Sequence, residues 1–193
     1  MSDTDERAVL TEAARYLFQN LLLVREADLA APTPCPAWDL RGLLRHVGTS
    51  LAEVADVLTA RDFAERTGPA AASDPVGAVR AAIVDSVLAA RAHRAAPGFA
   101  GPWCEIQGRT LPAKTVVHVG AIEMVVHAWD IAEACGIDRP IPSGIASALL
   151  WVSPPLARAG LAAHVFAEPL AAPAAAPPSD QLLALFGRRH VPR

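Results

Sequence analysis

Residues 115–136 read TVVHVGAIEMVVHAWDIAEACG. On a helical wheel at about 100° per residue, Val116, Val117, Val119, Ile122, Met124, Val125, Val126 and Ile131 cover nearly every direction. A helix that is apolar on all sides must be packed on most of them. The stretch therefore predicts a central helix from about 112 to 135, closed by Gly136 as a C-terminal cap. Inside it stand Glu123, His127 and Asp130. Burying an unpaired carboxylate is very unfavourable, so these groups need partners.

The rest of the chain supplies helices to pack around this one. Val9, Leu10, Ala13, Leu17, Leu21 and Val24 recur at three- and four-residue steps and predict a helix over 4–28. The segment APTPCPAW, residues 31–38, carries three prolines and reads as a stiff extended connection. Asp39 offers a cap for a helix over 40–61 with the stripe Leu40, Leu43, Leu44, Val47, Leu51, Val54, Leu58. Asp74 and Pro75 open a third helix over 75–95. Residues 96–111 read as a long loop with room for a short hairpin, and loops of that length in a folded domain are often functional. A fifth helix over 143–164 must kink or break at Pro154–Pro155. A Pro/Ala-rich strap, 167–179, leads to a short amphipathic helix, DQLLALFG, that should dock back on the core. The expectation is an all-α helical bundle in one domain, 1–193.

Composition agrees with this. Apolar residues are 52% of the chain and aromatics 5%, so the core is built mostly from Ala, Leu and Val rather than from strand-forming residues. The net charge of −3 gives no electrostatic reason to expect nucleic acid. No run of 18 or more uncharged apolar residues suggests a membrane span, and the acidic N-terminus does not resemble a signal peptide. Three widely spaced cysteines, Cys35, Cys104 and Cys135, fit reduced thiols in a cytoplasmic protein better than a disulfide framework.

Glu123 and His127 lie four residues apart, about 40° on the wheel, and Asp130 continues their stripe. Two readings fit. One is a buried polar network in which Glu123 and His127 pair with each other or with an arginine from another helix. The other is a metal site, because Glu and His at this spacing can converge on one ion, as inward carboxylates and histidines do inside bundles. A metal site needs a further ligand, and the candidate is His46, although its place at the edge of the Leu stripe of the 40–61 helix suits a boundary histidine as well as a ligand. His118 points away from the Glu123/His127 stripe. His93, His164 and His190 sit near helix or chain ends, and all four read as surface or boundary residues.

PCPAWDLRGLLRHVGTS, followed some 75 residues later by EMVVHAWDIAEACG, resembles the metal-binding DinB-like family that includes the N-terminal domain of mycothiol-dependent maleylpyruvate isomerase. The single-domain actinobacterial branch is the nearer likeness, and the ending DQLLALFGRR is similar to it as well. The resemblance implies a four-helix bundle of up-down-down-up type with additional C-terminal helices. It also implies a divalent metal held by His46, Glu123 and His127. The two-domain isomerase completes its active site with a C-terminal domain for which this chain has no room, so only a generic chemistry is inherited.

Three protein ligands leave a coordination position open, the mark of a catalytic site more than a structural one. Zinc heads the candidate metals; nickel, iron(II) and manganese suit the same donors. Asp130 is a candidate second layer behind the ligands or a general acid/base, with a helix-surface ion pair as the ordinary alternative. Trp38 and Trp129 are candidate pocket walls, although a large aromatic at a bundle end is more often plain core. Arg45 and Arg41 could bind an acidic substrate, against the ordinary reading of a solvated face. Trp103 and Cys104 are candidate lid residues. Cys35 has no basic residue nearby in sequence and is not read as a nucleophile. The expected function is a metal-dependent transferase or isomerase using a low-molecular-weight thiol such as mycothiol. A metal-dependent hydrolase and a non-catalytic metal-binding or sensor module are the alternatives. The expected partners are a small-molecule substrate or thiol, with homodimerisation left open.

Overall fold

Two aspartates start helices by the same device. Asp39 accepts a hydrogen bond from the Gly42 amide at 2.7 Å and Asp74 one from the Gly77 amide at 2.8 Å, each satisfying an N–H that lacks an intrahelical acceptor. The computed structural model describes residues 3–59, 73–95, 103–106, 109–162 and 167–191. In it α1 spans Asp3–Leu21, α2 Leu40–Thr59, α3 Pro75–Ala95, α4 Ala113–Ala134, α5 Ser143–Leu150, α6 Ser153–Ala162 and α7 Pro178–Leu185. The fold is all-α, as the DinB-like resemblance implies. Its one described sheet is an antiparallel hairpin, β1 Trp103–Ile106 with β2 Arg109–Pro112.

The four long helices pack in a ring: α1 lies along α4 and touches α3, and α2 lies along both α3 and α4. The core is where the apolar stripes meet, with Leu17, Leu43, Leu44, Leu51, Met124, Val125 and Ile131 fully buried. By length and composition α4 could cross a membrane. Here 89% of its apolar window is buried against the rest of the protein, as the continuous apolar surface of the segment requires.

Three expectations are corrected in detail. The first helix ends at Leu21 rather than at 28. A separate 3-10 turn follows at Glu26–Asp28, where Asp28 accepts bonds from both the backbone and the guanidinium of Arg25. Such local side-chain bonds compete with helix continuation. The helix expected over 143–164 is broken at Trp151–Val152, so that Pro154 and Pro155 fall in the first turn of α6, where a missing N–H costs nothing. His118 is not a boundary residue but buried, because α4 is covered almost all round.

Glycines end α4 and α7 in the same geometry. Gly136 has φ 74°, the Ile137 amide donates to the Ala132 carbonyl, and the Gly136 amide donates to the Glu133 carbonyl. Gly187 has φ 77°, with Arg188 donating to Leu183 and Gly187 to Ala184. Both are the paired reverse bonds of a left-handed C-terminal cap. The strap before α7 is mostly exposed and non-helical, whereas Leu182, Leu183 and Phe186 are buried in the core.

Candidate metal centre

The site lies where α2 and α4 face each other. Leu43, Leu44, Val47 and Leu51 face the core and set the rotation of α2. That rotation leaves His46 at the edge of the stripe, with 24% of its side chain exposed. From there its Nε2 lies 3.3 Å from Glu123 Oε2. On α4, His127 Nε2 approaches the same oxygen at 3.5 Å, and the Glu123 and His127 side chains are only 4% and 3% exposed. The two imidazoles meet edge to face, with centroids 5.0 Å apart. One donor atom from each of the three residues falls within 4.8 Å of the others. Ser50, one turn beyond His46, donates to Glu123 Oε2 at 3.2 Å.

The orientation of His127 decides what this cluster can hold. Its Nδ1 lies 2.9 Å from Asp130 Oδ2, and the acid is fully buried. An ionised carboxylate only accepts, so the Nδ1 position carries the proton. In a neutral ring Nε2 then presents a lone pair toward the lone pairs of Glu123 Oε2. A proton or a metal cation between them resolves that opposition. A metal-ligating histidine that gives its other N–H to a carboxylate is a recurrent arrangement. The donor set, two imidazole nitrogens and one carboxylate oxygen, fits a divalent transition ion.

Asp130 is itself held from behind. Arg188 donates from Nη2 to Asp130 Oδ2 at 2.9 Å and from Nε to Oδ1 at 3.3 Å. The same Nη2 lies 2.7 Å from Cys35 Sγ, and the Cys35 thiol lies 3.5 Å from Asp130 Oδ2. The proline-rich connection delivers Cys35. Thr33 Oγ1 donates to the carbonyls of Cys35 and Trp38 and accepts from the Cys35 amide, while Pro32 bridges Asp39. The same loop lays Trp38 flat on His46, with centroids 4.4 Å apart and planes 24° off parallel.

Electrostatics follow from this packing. Burial by itself would raise the pKa of Glu123, but the bonds and charge of His127 and His46 hold it well below the usual carboxylate range. Burial opposes a charged His127, yet the bonds to Asp130, Cys35 and Glu123 keep its pKa well above the ordinary imidazole value. Asp130 is likewise lowered against its burial by His127 and Arg188. Without a metal, the pocket favours an imidazolium at His127.

The structure thus brings His46, Glu123, His127, Asp130 and Trp38 into one cluster. Trp129 is buried in the core, with no described hydrogen-bond partner for its indole N–H. Arg45 is exposed on α2, and Arg41 pairs with Glu26 at 3.4 Å. No described contact ties Trp129, Arg45 or Arg41 to the three donors. Trp103 and Cys104 lie on β1, but their side chains fall outside the described residues, as does His164. His93 bonds the Leu58 carbonyl at 2.9 Å, and His190 pairs with Asp138 at 3.0 Å.

Arg188 was not among the sequence candidates. It lies 58 residues beyond Asp130, in a short tail where only the Gly187 cap hints that the chain turns back. Cys35, without a basic neighbour in sequence, acquires one in space for the same reason. Ser50 had a readable signal, since it follows His46 at four residues on the same face of α2.

The sequence matches the model of the mycothiol maleylpyruvate isomerase N-terminal domain over residues 10–132. That span contains the three donors and Asp130 and stops well before Arg188. Two relatives come from Mycobacterium tuberculosis, strains ATCC 25618 / H37Rv and CDC 1551 / Oshkosh. Each is 30% identical over 185 residues, covering 92% of this chain and 94% of its own length. They are named only as the uncharacterized proteins Rv0738 and MT0763. No solved structure matches the chain significantly.

Proposed function

The chain belongs to the mycothiol maleylpyruvate isomerase N-terminal domain family, and on that premise we propose a role for its polar cluster. His46, Glu123 and His127 hold one divalent metal ion, zinc foremost, and serve the transfer of a low-molecular-weight thiol to a small electrophile, or its thiol-assisted isomerisation. The observation that carries this reading is the convergence of His46 Nε2 and His127 Nε2 on Glu123 Oε2, with the other nitrogen of His127 committed to Asp130.

Each residue has a distinct part. Glu123 supplies the one negative charge among the three donors, so a divalent ion retains about one positive charge. When bound, the ion supplies a Lewis acid that lowers the pKa of a thiol or water beside it toward neutrality. His127 and Glu123 form the closed wall of the site. His46 is its partly exposed side, and Trp38, stacked on that ring, offers an apolar surface next to the entrance for the body of a small ligand. Asp130 lies behind His127, where it holds the ring rather than meeting a substrate.

The test is to load the purified protein with zinc and titrate mycothiol, or a simpler thiol analogue, by calorimetry. Binding that requires the metal and releases a proton supports the thiol reading. Thiols that fail to bind, with hydrolysis of esters or amides instead, would favour the hydrolase. Neither activity would favour the metal-binding module.

A further inference from the structure

Of two adjacent arginines at the end of α7, Arg189 is exposed and Arg188 is buried. The difference begins at Gly187, whose positive φ reverses the chain. A Cβ there would come within 2.6 Å of Ala167 Cβ and 2.9 Å of the Glu168 carbonyl. Leu182, Leu183 and Phe186 fix α7 to the core, and Arg188 Nη1 donates to the Phe186 carbonyl at 2.6 Å, which directs the guanidinium inward. There it contacts both carboxylate oxygens of Asp130 and the Cys35 thiol, joining the tail to α4 and to the proline-rich connection.

Resting on the metal reading above, we infer that Arg188 is a positioning residue of the metal centre. Its fork fixes the plane of the Asp130 carboxylate, Asp130 fixes the His127 ring, and the ring thereby keeps Nε2 aimed at Glu123. The tail, which lies beyond the family-matched segment, is thus part of what shapes the site. An ammonium in place of the fork would keep the charge but not the two-point contact, so it would not hold the carboxylate plane. A residue that merely stabilised the fold would change the unfolding midpoint and leave the donor geometry of the folded protein alone.

The test uses the full chain, cobalt(II) as a spectroscopic probe and zinc affinity by competition with a chromophoric chelator. Arg188→Ala should bind both ions about tenfold more weakly, the magnitude typical of losing a residue that supports a ligand. Its visible cobalt bands should shift, and added guanidinium should restore them in part. Arg188→Lys should fold and still show altered bands, and it decides the matter if Arg188→Ala does not fold. Wild-type affinity and spectrum in Arg188→Lys, and in any folded Arg188→Ala, would overturn the inference. So would tighter binding by Arg188→Ala, which would mean that the arginine only repels the cation. Failure of the wild-type protein to bind either ion would overturn the metal reading itself, and would be seen before any substitution is made.

Discussion

His127 and Asp130, three residues apart on α4, are joined by a 2.9 Å bond between Nδ1 and Oδ2. This bond turns a buried histidine into an oriented donor, because it leaves Nε2 as the nitrogen that faces Glu123. Removing the acid should loosen the donor without removing it. Asp130→Ala should bind zinc about 10- to 100-fold more weakly by chelator competition. Unchanged affinity would mean that the ring needs no such support.

Asp130 and Arg188 are both buried, with 0% and 6% of their side chains exposed. Removing one member of a buried pair leaves the other charge without compensation, at a cost of about 3–5 kcal/mol, whereas removing both costs far less. Arg188→Met should lower the metal-free unfolding free energy by that amount in urea titrations. Asp130→Asn combined with Arg188→Met should recover most of it. A double variant as unstable as the single one would contradict the pairing.

Without metal, stability should depend on pH with a definite sign. The pKa values of Glu123 and Asp130 are lowered in the folded state, so their contributions are full above the ordinary carboxylate range and fade only as pH falls through the lowered values. His127 is raised, so its contribution is full below the ordinary imidazole value and is lost as pH rises through the raised one. Denaturation in the presence of a chelator should therefore show greatest stability at mildly acidic pH and a decline on the alkaline side. Zinc, which binds the deprotonated ring, should remove that alkaline decline and weaken as pH falls. A metal-free profile that rises steadily through pH 8 would contradict the charge assignment.

Cys35, His127 and Asp130 form a second set of donor atoms within 4.8 Å of one another. The guanidinium of Arg188 lies against two of the three, and a cation already fills the place a metal would take. Cys35→Ala should leave the zinc stoichiometry unchanged. Loss of bound metal on this substitution would relocate the site.

Much of this was readable in the chain because helical periodicity is a local property. The all-round apolar surface of residues 115–136 implied a buried helix, and within it the spacing of Glu123, His127 and Asp130 implied one polar stripe. His46, at the edge of the α2 stripe, was ambiguous by position between a boundary histidine and a ligand, and only the family resemblance pointed to the ligand. Arg188 was hidden because its role depends on where a reverse turn after α7 lands, which is a matter of tertiary packing. The break at Trp151–Val152 was foreseeable from two prolines, while the end of α1 at Leu21 depended on local bonds around Arg25 and Asp28 that compete with an otherwise adequate helical pattern.

We propose above that His46, Glu123 and His127 together hold one divalent ion. Zinc titrated into metal-stripped wild-type protein, followed by calorimetry in buffers of different ionisation heat, is the decisive experiment. One ion per chain should bind near neutral pH with release of a proton from the imidazolium that the metal-free pocket favours. Glu123→Gln, which removes the only anionic donor of the three, should bind much more weakly. Wild-type protein that takes up no zinc, or Glu123→Gln that binds it as tightly as wild type, would rule this site out.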